Sequence, residues 1–326
     1  MNFILIIGLG SIGKRHLNNL IDLGYTNIII VSKSDTISAE FKRFAVYTDI
    51  QKAITENSIS HGVICTPTSS HLEDLAILLE NNIANIYLEK PVSHNLNYLN
   101  EISSLINKCK RLVVGYDLHF DPGLIKIKKL LDENQMGKIF SINSIVGQYL
   151  PDWRPDQNYL KGMSARIDKG GGVMLDLVHE FDYVRWLVGK PKNIACIFQK
   201  NPNLAIETED LADVLIHFEG NSSGTIHLDY HQKKLVRNCM ITCEKGTIFW
   251  DLTKSEVKII RYDQEEELFS YFGFERNQRY MDSIKAFLDE SKFDDRLTDF
   301  EEALVSLKMV VAAKESSISK QFIAIN

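Results

Sequence analysis

No apolar run in this sequence approaches the length of about 20 residues that crosses a bilayer, so no membrane-spanning helix is expected. The opening MNFILIIGLG is apolar, but no basic stretch precedes it and it runs at once into glycines. It therefore reads as a core strand and not as a signal peptide. Positive charge is in deficit: 37 Lys and Arg face 43 Asp and Glu, for a net charge of -6. Duplex nucleic acid is bound through a basic surface that neutralises phosphates, so such a partner is excluded. A local cluster of Lys and Arg inside an acidic protein can still hold a small anion. Cysteine is sparse as well, with five residues spread along the chain. An odd and scattered set forms no disulfide framework and fits a reducing cytoplasm. Cys239 and Cys243 lie an even number apart in a strand-like run and share one face. No second Cys or His pair lies nearby, so they read as reduced core thiols and no metal is expected. The chain also lacks internal repeats, low-complexity tracts and a flexible linker.

What is present is a core. With 44% apolar residues over 326 positions, the chain can bury two domains. Its first apolar strand, Phe3 to Ile7, runs straight into Gly8, Gly10 and Gly13, and a helical stretch from Ser11 to Leu23 follows, stopped by Gly24. A strand, three glycines at this spacing and a helix make a dinucleotide-binding turn. The glycines let the backbone turn sharply and approach a pyrophosphate, which the amides of Ser11, Ile12 and Gly13 at the helix N-terminus would hold.

Short apolar strands then alternate with amphipathic helices, the pattern of a parallel sheet covered on both faces. Strands are expected at Asn27 to Val31, Gly62 to Cys65, Ile86 to Glu89 and Leu112 to Gly115. Helices are expected at Asp49 to Glu56, Ser70 to Asn81 and Leu96 to Lys108, with Thr48 and Ser69 as N-caps. Past Gly115 the rhythm changes to a helix from Pro122 to Asn134, a strand from Lys138 to Val146, and strand after strand from Lys192 to Ile260. Two helical segments, Asn277 to Ser291 and Thr298 to Ser317, close the chain. The expected fold is α/β: an N-terminal Rossmann domain over 1–118, then an α+β domain over 119–326 with a large open, mostly antiparallel sheet. The C-terminal helices are expected to pack back across the domain seam.

In an NAD-preferring turn, an acidic residue about twenty positions on, at the end of the second strand, binds the ribose 2′-hydroxyl. Here that place holds Ser32, Lys33 and Ser34, with no carboxylate before Asp35. Hydroxyls flanking an ammonium suit a 2′-phosphate, so NADP(H) is preferred over NAD(H).

The strand ending in Glu89, Lys90 and Pro91 brings Lys90 to the edge where a nicotinamide would lie, with Glu89 beside it. A lysine there can donate to a substrate oxygen, and the proline fixes the turn, a place for a cis peptide. Residues 170–189, GGGVMLDLVHEFDYVRWLVG, place three glycines for close backbone approach to a ligand, then a helix with Met174, Leu177, Val178, Phe181, Val184 and Leu187 on its apolar face. Asp176 and His179 stand three apart on it and are expected to project into the same space. A histidine oriented by a carboxylate is what transfer of a hydroxyl proton requires.

The segments GLGSIGKRH at the start, CTPTSSH at 65–71, EKP at 89–91 and GGG followed by Asp and His resemble the glucose-fructose oxidoreductase, inositol dehydrogenase and rhizopine-catabolism (Gfo/Idh/MocA) family. The resemblance extends over nearly the whole chain, including Gly115, Tyr116, Phe120, Pro122 and the Gly246 turn. It implies NAD(P)-dependent hydride transfer at a secondary alcohol or ketone of a sugar or nucleotide-sugar, and a homodimer or homotetramer built through the open sheet. It also implies that Thr66, Pro67 and His71 line the cofactor, that Lys90 meets cofactor and substrate, and that Asp176 and His179 are the substrate-binding and acid–base pair.

Three-residue spacing of Asp176 and His179, where many relatives have four, resembles a DLSHE-type subgroup associated with surface-glycan sugar biosynthesis. Which of Lys90 and His179 transfers the proton stays open. Asp117 and His119 stand where relatives often carry Asn and Arg, which places His119 on the substrate. The stretch Tyr149 to Ala165 offers Trp153, Arg154 and Tyr159 to a sugar, by stacking and by pairing with an anion. Two other readings remain: a reductase of a C=C or C=N bond, and a non-catalytic dinucleotide-sensing regulator.

Overall fold

The computed structural model describes residues 2–33 and 41–325. The chain forms two compact units, Met1–Asp117 with Asn277–Leu304, and Leu118–Arg276 with Val305–Asn326.

In the first unit, β1 (Phe3–Ile7) leads into α1 (Ser11–Asp22), followed by β2 (Ile28–Val31), β3 (Ala45–Tyr47), α2 (Ile50–Glu56), β4 (Ile59–Ile64), α3 (His71–Glu80), β5 (Asn85–Leu88), α4 (Leu99–Ile106) and β6 (Arg111–Val114). The strands align in the order β6-β5-β4-β1-β2-β3, all parallel. Ile4 to Ile7, Ile28 to Val31 and Ile86 to Leu88 are all buried, as continuous apolar runs in a sheet covered on both faces should be. Neither expected cap, Thr48 or Ser69, forms. Asp49 caps α2, its carboxylate accepting from the Lys52 amide at 2.7 Å. A 3₁₀ turn over Thr68–Ser70 runs directly into α3, and Ser70, already helical, makes no side-chain cap bond. α4 starts three residues later than its apolar pattern suggests, because Tyr98 takes a left-handed conformation ahead of it.

In the second unit, α5 (Pro122–Asp132) begins with proline at a position whose N–H has no helical partner. Asp121 caps it, accepting from the Gly123 and Leu124 amides. Next come β7 (Ile139–Gly147), α6 (Val173–Asp176), α7 (His179–Val188), β8 (Pro191–Gln199), β9 (Leu211–Phe218), β10 (Ser223–Asp229), β11 (Val236–Cys243), β12 (Gly246–Asp251), β13 (Glu256–Arg261) and β14 (Glu267–Ser270). The closing segment holds α8 (Arg276–Leu288), β15 (Thr298–Asp299), α9 (Phe300–Ser319) and β16 (Ile323–Ala324).

Antiparallel β15 adds to β6 at the edge of the first sheet. Arg111 binds the carbonyls of Phe287 and Asp289 at the end of α8, satisfying acceptors that a helix C-terminus leaves open. The second sheet runs β14-β13-β12-β11-β7-β10-β9-β8-β16, antiparallel except for the β7–β10 pair. Its strands alternate. Ala212, Val214, Ile216 and Phe218 of β9 point into the core, while Asp213, Leu215 and His217 point out. Ile145, Ile197, Leu215, Phe249 and Leu268 leave the outward face partly apolar.

Candidate functional site

The glycine turn is shaped by its own backbone. Gly8 has φ +92, and a Cβ there would lie 2.7 Å from the Cys65 carbonyl oxygen. A Cβ on Gly13 would lie 2.0 Å from the Gly8 carbonyl oxygen, so α1 packs against the end of β1 only because position 13 is bare. Gly10 differs, since nothing lies within 4 Å of its Cβ position. It is also the N-cap of α1, makes no side-chain cap bond, and no acidic residue occupies the first turn. The amides around Ser11, Ile12 and Gly13 and the positive end of the helix dipole therefore meet no carboxylate of their own helix. This geometry fits the pyrophosphate of a dinucleotide.

Around that turn the unit gathers the ends of β2, β4 and β5. Ser32 is buried and Lys33 exposed; Ser34 and Asp35, which entered the cofactor expectation, lie outside the described residues. Lys33 acts electrostatically on Asp74, a group whose carboxyl burial raises and the Thr66 hydroxyl, donating at 2.6 Å, lowers in part. Pro67 is exposed beside it. His71 is not aimed at a ligand. Its ring is buried, with Nδ1 2.8 Å from the Pro91 carbonyl oxygen and Nε2 3.0 Å from that of Thr66. Burial lowers its pKa, and the neutral ring, lying between two carbonyls, can donate its one N–H to only one of them. Glu89 is buried, Lys90 half-buried, and the Lys90–Pro91 peptide is cis.

Within the second unit, the expected single helix over 173–188 is two. α6 ends at Asp176, Leu177 and Val178 form a turn, and α7 begins at His179. The break tightens the chain, the Glu180 amide bonding the Leu177 carbonyl three residues back. Asp176 and His179 thus flank a turn rather than share a continuous helix face. Both are buried. The glycines before them make room for the protein itself: a Cβ on Gly171 would lie 2.1 Å from the Met163 carbonyl oxygen, and one on Gly172 2.3 Å from Glu209 Oε1. The close approach expected for a ligand is taken by these groups. Sequence reasoning also missed Tyr230, whose buried hydroxyl donates to Asp176 Oδ2 at 2.6 Å. Nothing in a lone tyrosine at a strand end signals such a bond.

The apolar residues expected on α7 are indeed buried, but so are Glu180 and Asp182. Glu180 pairs with Arg237 Nε at 2.8 Å, and Arg237 Nη2 reaches its other oxygen at 3.1 Å. His119 was expected on the substrate. It lies instead in the core of this unit, Nε2 2.7 Å from Asp182 Oδ2 and its ring stacked on Trp186 at 4.1 Å. One ring face and the Nε2 edge are thereby used in packing. Trp153 lies edge-on to Tyr230 at 5.3 Å, its indole N–H donating to the Gln148 carbonyl. The Tyr159 hydroxyl donates to the Leu204 carbonyl, and Arg154 is exposed. Among the described residues, no group of His, Cys, Asp and Glu could hold a metal ion, and no helix is long and apolar enough to cross a membrane.

A parallel sheet with a glycine turn at an uncapped helix, together with an α+β unit carrying a large mixed sheet, defines a Rossmann-type nucleotide-binding protein with a second α+β unit. The chain belongs to the GFO/IDH/MocA oxidoreductase family. The oxidoreductase family profile with an NAD-binding Rossmann fold matches residues 3–116, and that of the GFO/IDH/MocA C-terminal domain matches residues 124–249. Uncharacterized oxidoreductase YrbE of Bacillus subtilis (strain 168) is 26% identical over 236 residues, 68% of this chain and 65% of its own length. Inositol 2-dehydrogenase of Rhizobium meliloti (strain 1021) is 25% identical over 190 residues, 57% of this chain and 54% of its own length. The match thus spans less than two thirds of either relative. Levoglucosan dehydrogenase in complex with NADH has the same fold, with a TM-score of 0.86 at 17% identity and 100% of each chain covered.

Proposed function

We propose that this protein is a nicotinamide-dependent dehydrogenase acting on a secondary alcohol or ketone of a sugar-type substrate. The observation that carries the reading is the glycine turn with its uncapped α1, in the same unit as the strand end that bears Lys90. A bound nicotinamide would supply the hydride acceptor or donor. Amides at the start of α1 hold the pyrophosphate, and the Lys90 ammonium polarises the substrate oxygen. His179 or Lys90 takes the hydroxyl proton in the oxidation direction, and Asp176, fixed by Tyr230, orients the histidine. NADP(H) is the preferred cofactor on the strength of Lys33 at the end of β2, where a cation would offset the 2′-phosphate.

The substrate proposed is a sugar or nucleotide-sugar of surface-glycan biosynthesis. An aromatic surface at Trp153 beside the Tyr230–Asp176 pair, with exposed Arg154 on the same loop, supports it. Free Cys65, Cys109, Cys196, Cys239 and Cys243 suit a reducing cytoplasm. The partly apolar outward face of the second sheet suits a homodimer or homotetramer.

The test is turnover of a panel of polyols, sugars and nucleotide-sugars with NAD(H) and NADP(H), repeated with Lys90→Ala. We expect the variant to lose at least ~100-fold in kcat while cofactor affinity changes little. Full activity in Lys90→Ala would remove the lysine from the mechanism. Cofactor binding with no turnover on any substrate would favour a dinucleotide-sensing regulator.

A further inference from the structure

Resting on the dehydrogenase reading, we propose that His16 and Glu89 are a positioning pair that fixes the Lys90 end of β5 relative to the glycine turn. His16 Nε2 lies 2.6 Å from Glu89 Oε1. The imidazole is fully buried, the carboxylate nearly so. The second carboxylate oxygen, Oε2, accepts from the Lys90 amide at 3.3 Å. One carboxylate thus links a side chain of α1 to the backbone of the lysine. His16 stands three residues after Gly13 on the buried face of α1, so the helix that would carry a pyrophosphate at its N-terminus also carries the imidazole.

The surroundings are built around this pair. Rings of Tyr87 and Tyr280 stand edge-on to the imidazole at 5.2 and 6.4 Å. A Cβ at position 115 would lie 2.9 Å from the Tyr87 ring and 3.0 Å from Glu89 Oε1, so Gly115 leaves the carboxylate its place. Burying a carboxylate is costly, and an apolar pair of similar volume would fill the same space at no such cost. What an apolar pair cannot supply is a short, directional bond. Here that bond sets the separation between the pyrophosphate end and the lysine end of a bound dinucleotide, and errors of about 1 Å at such distances lower rates severely.

The experiment labels surface amines of the full chain by reductive methylation, with and without NADH, and reads Lys90 by peptide mass spectrometry. NADH affinity is measured in parallel by fluorescence. In the wild-type chain NADH should slow labelling of Lys90 at least ~5-fold. In His16→Ala and in isosteric Glu89→Gln the protection should fall below ~2-fold while NADH affinity stays within ~3-fold. His16→Gln, whose amide N–H can stand in for Nε2–H, should restore it. Undiminished protection in His16→Ala or Glu89→Gln overturns the proposal, as does a loss that His16→Gln fails to rescue. Absence of Lys90 protection in the wild-type chain with NADH and with NADPH alike overturns it too. Protection without turnover of any polyol, sugar or nucleotide-sugar sinks the dehydrogenase reading but leaves the pair standing, so the two failures are told apart.

Discussion

The hydroxyl of Tyr230 donates a 2.6 Å hydrogen bond to Asp176 Oδ2, and both residues are buried. Burial, reinforced by the neighbouring Asp176 charge, pushes the phenol well above its ordinary pKa, so it stays a donor throughout the working pH range. A carboxylate held by such a donor keeps one orientation, and losing the donor frees it to turn away from the histidine it is proposed to orient. Tyr230→Phe should therefore lower kcat by roughly 10-fold or more. Steady-state rates of the two chains measure this, and an unchanged kcat would show that Asp176 does not depend on this bond.

Two glycines of the turn predict opposite outcomes. Gly13→Ala forces a carbon against the Gly8 carbonyl, with a Cβ position only 2.0 Å from it, and should destabilise the chain by about 2 kcal/mol or more. Gly10→Ala meets no protein atom within 4 Å and should fold normally. Its methyl group would instead enter the space before α1, and NADH affinity should fall by roughly 10-fold. Thermal unfolding together with NADH fluorescence separates the two.

Lys33 predicts cofactor choice. Lys33→Ala should weaken NADPH by about 10-fold and leave NADH within about 2-fold, since only the former carries the 2′-phosphate. Equal effects on both cofactors in a binding titration would assign the lysine to the solvated surface.

His227 on β10 lies 2.7 Å from Asp213 and 3.2 Å from Asp229. The hydrogen bond to Asp229 leads, burial opposes it, and the bond to Asp213 helps lift the imidazole from 6.5 to about 9. For Asp229, burial pulls upward, but hydrogen bonds from His227, Gln232 and two backbone amides prevail and hold it at about 2. The imidazolium therefore contributes its full stabilisation below pH 6.5, and the contribution fades as pH rises through about 9. The carboxylate's share is present above its ordinary pKa and fades only as pH falls through about 2. Partial exposure reduces the histidine's share to the order of 1–2 kcal/mol. Denaturant titrations at pH 6 and 9.5 should show that loss in the wild-type chain and little of it in His227→Gln.

The Glu180–Arg237 pair predicts a larger effect. Arg237→Ala strands a fully buried carboxylate and should cost about 3–5 kcal/mol. Combining Arg237→Met with Glu180→Gln removes the charge and should recover much of that stability. Denaturant midpoints of the single and double variants decide it.

The first unit was legible because its signals are local. Continuous apolar runs such as Phe3 to Ile7 can only be strands of a covered sheet, and the spacing of Gly8, Gly10 and Gly13 dictates the turn after the first of them. Short elements escaped: β3 and β15 span three and two residues, too few to show a period. His16 stands in the sequence as the last residue of GLGSIGKRH, three after Gly13. Its burial and its partner, 73 residues away, appear only in the fold.

The succession of strands from Lys192 to Ile260 was enough to foresee a large antiparallel sheet, and the burial of Val214, Ile216 and Phe218 on one face of it follows from side-chain direction along a strand. Long-range pairing decided the rest. Whether His119 faces a ligand or stacks on Trp186, whether the glycines before Asp176 admit a substrate or the carboxylate of Glu209, and which hydroxyl steadies Asp176 all depend on atoms brought close by folding. Composition and periodicity carry a residue's type and its face; only the packed chain sets which polar group finds which partner, since a buried charge must be paired wherever the fold supplies its counterpart.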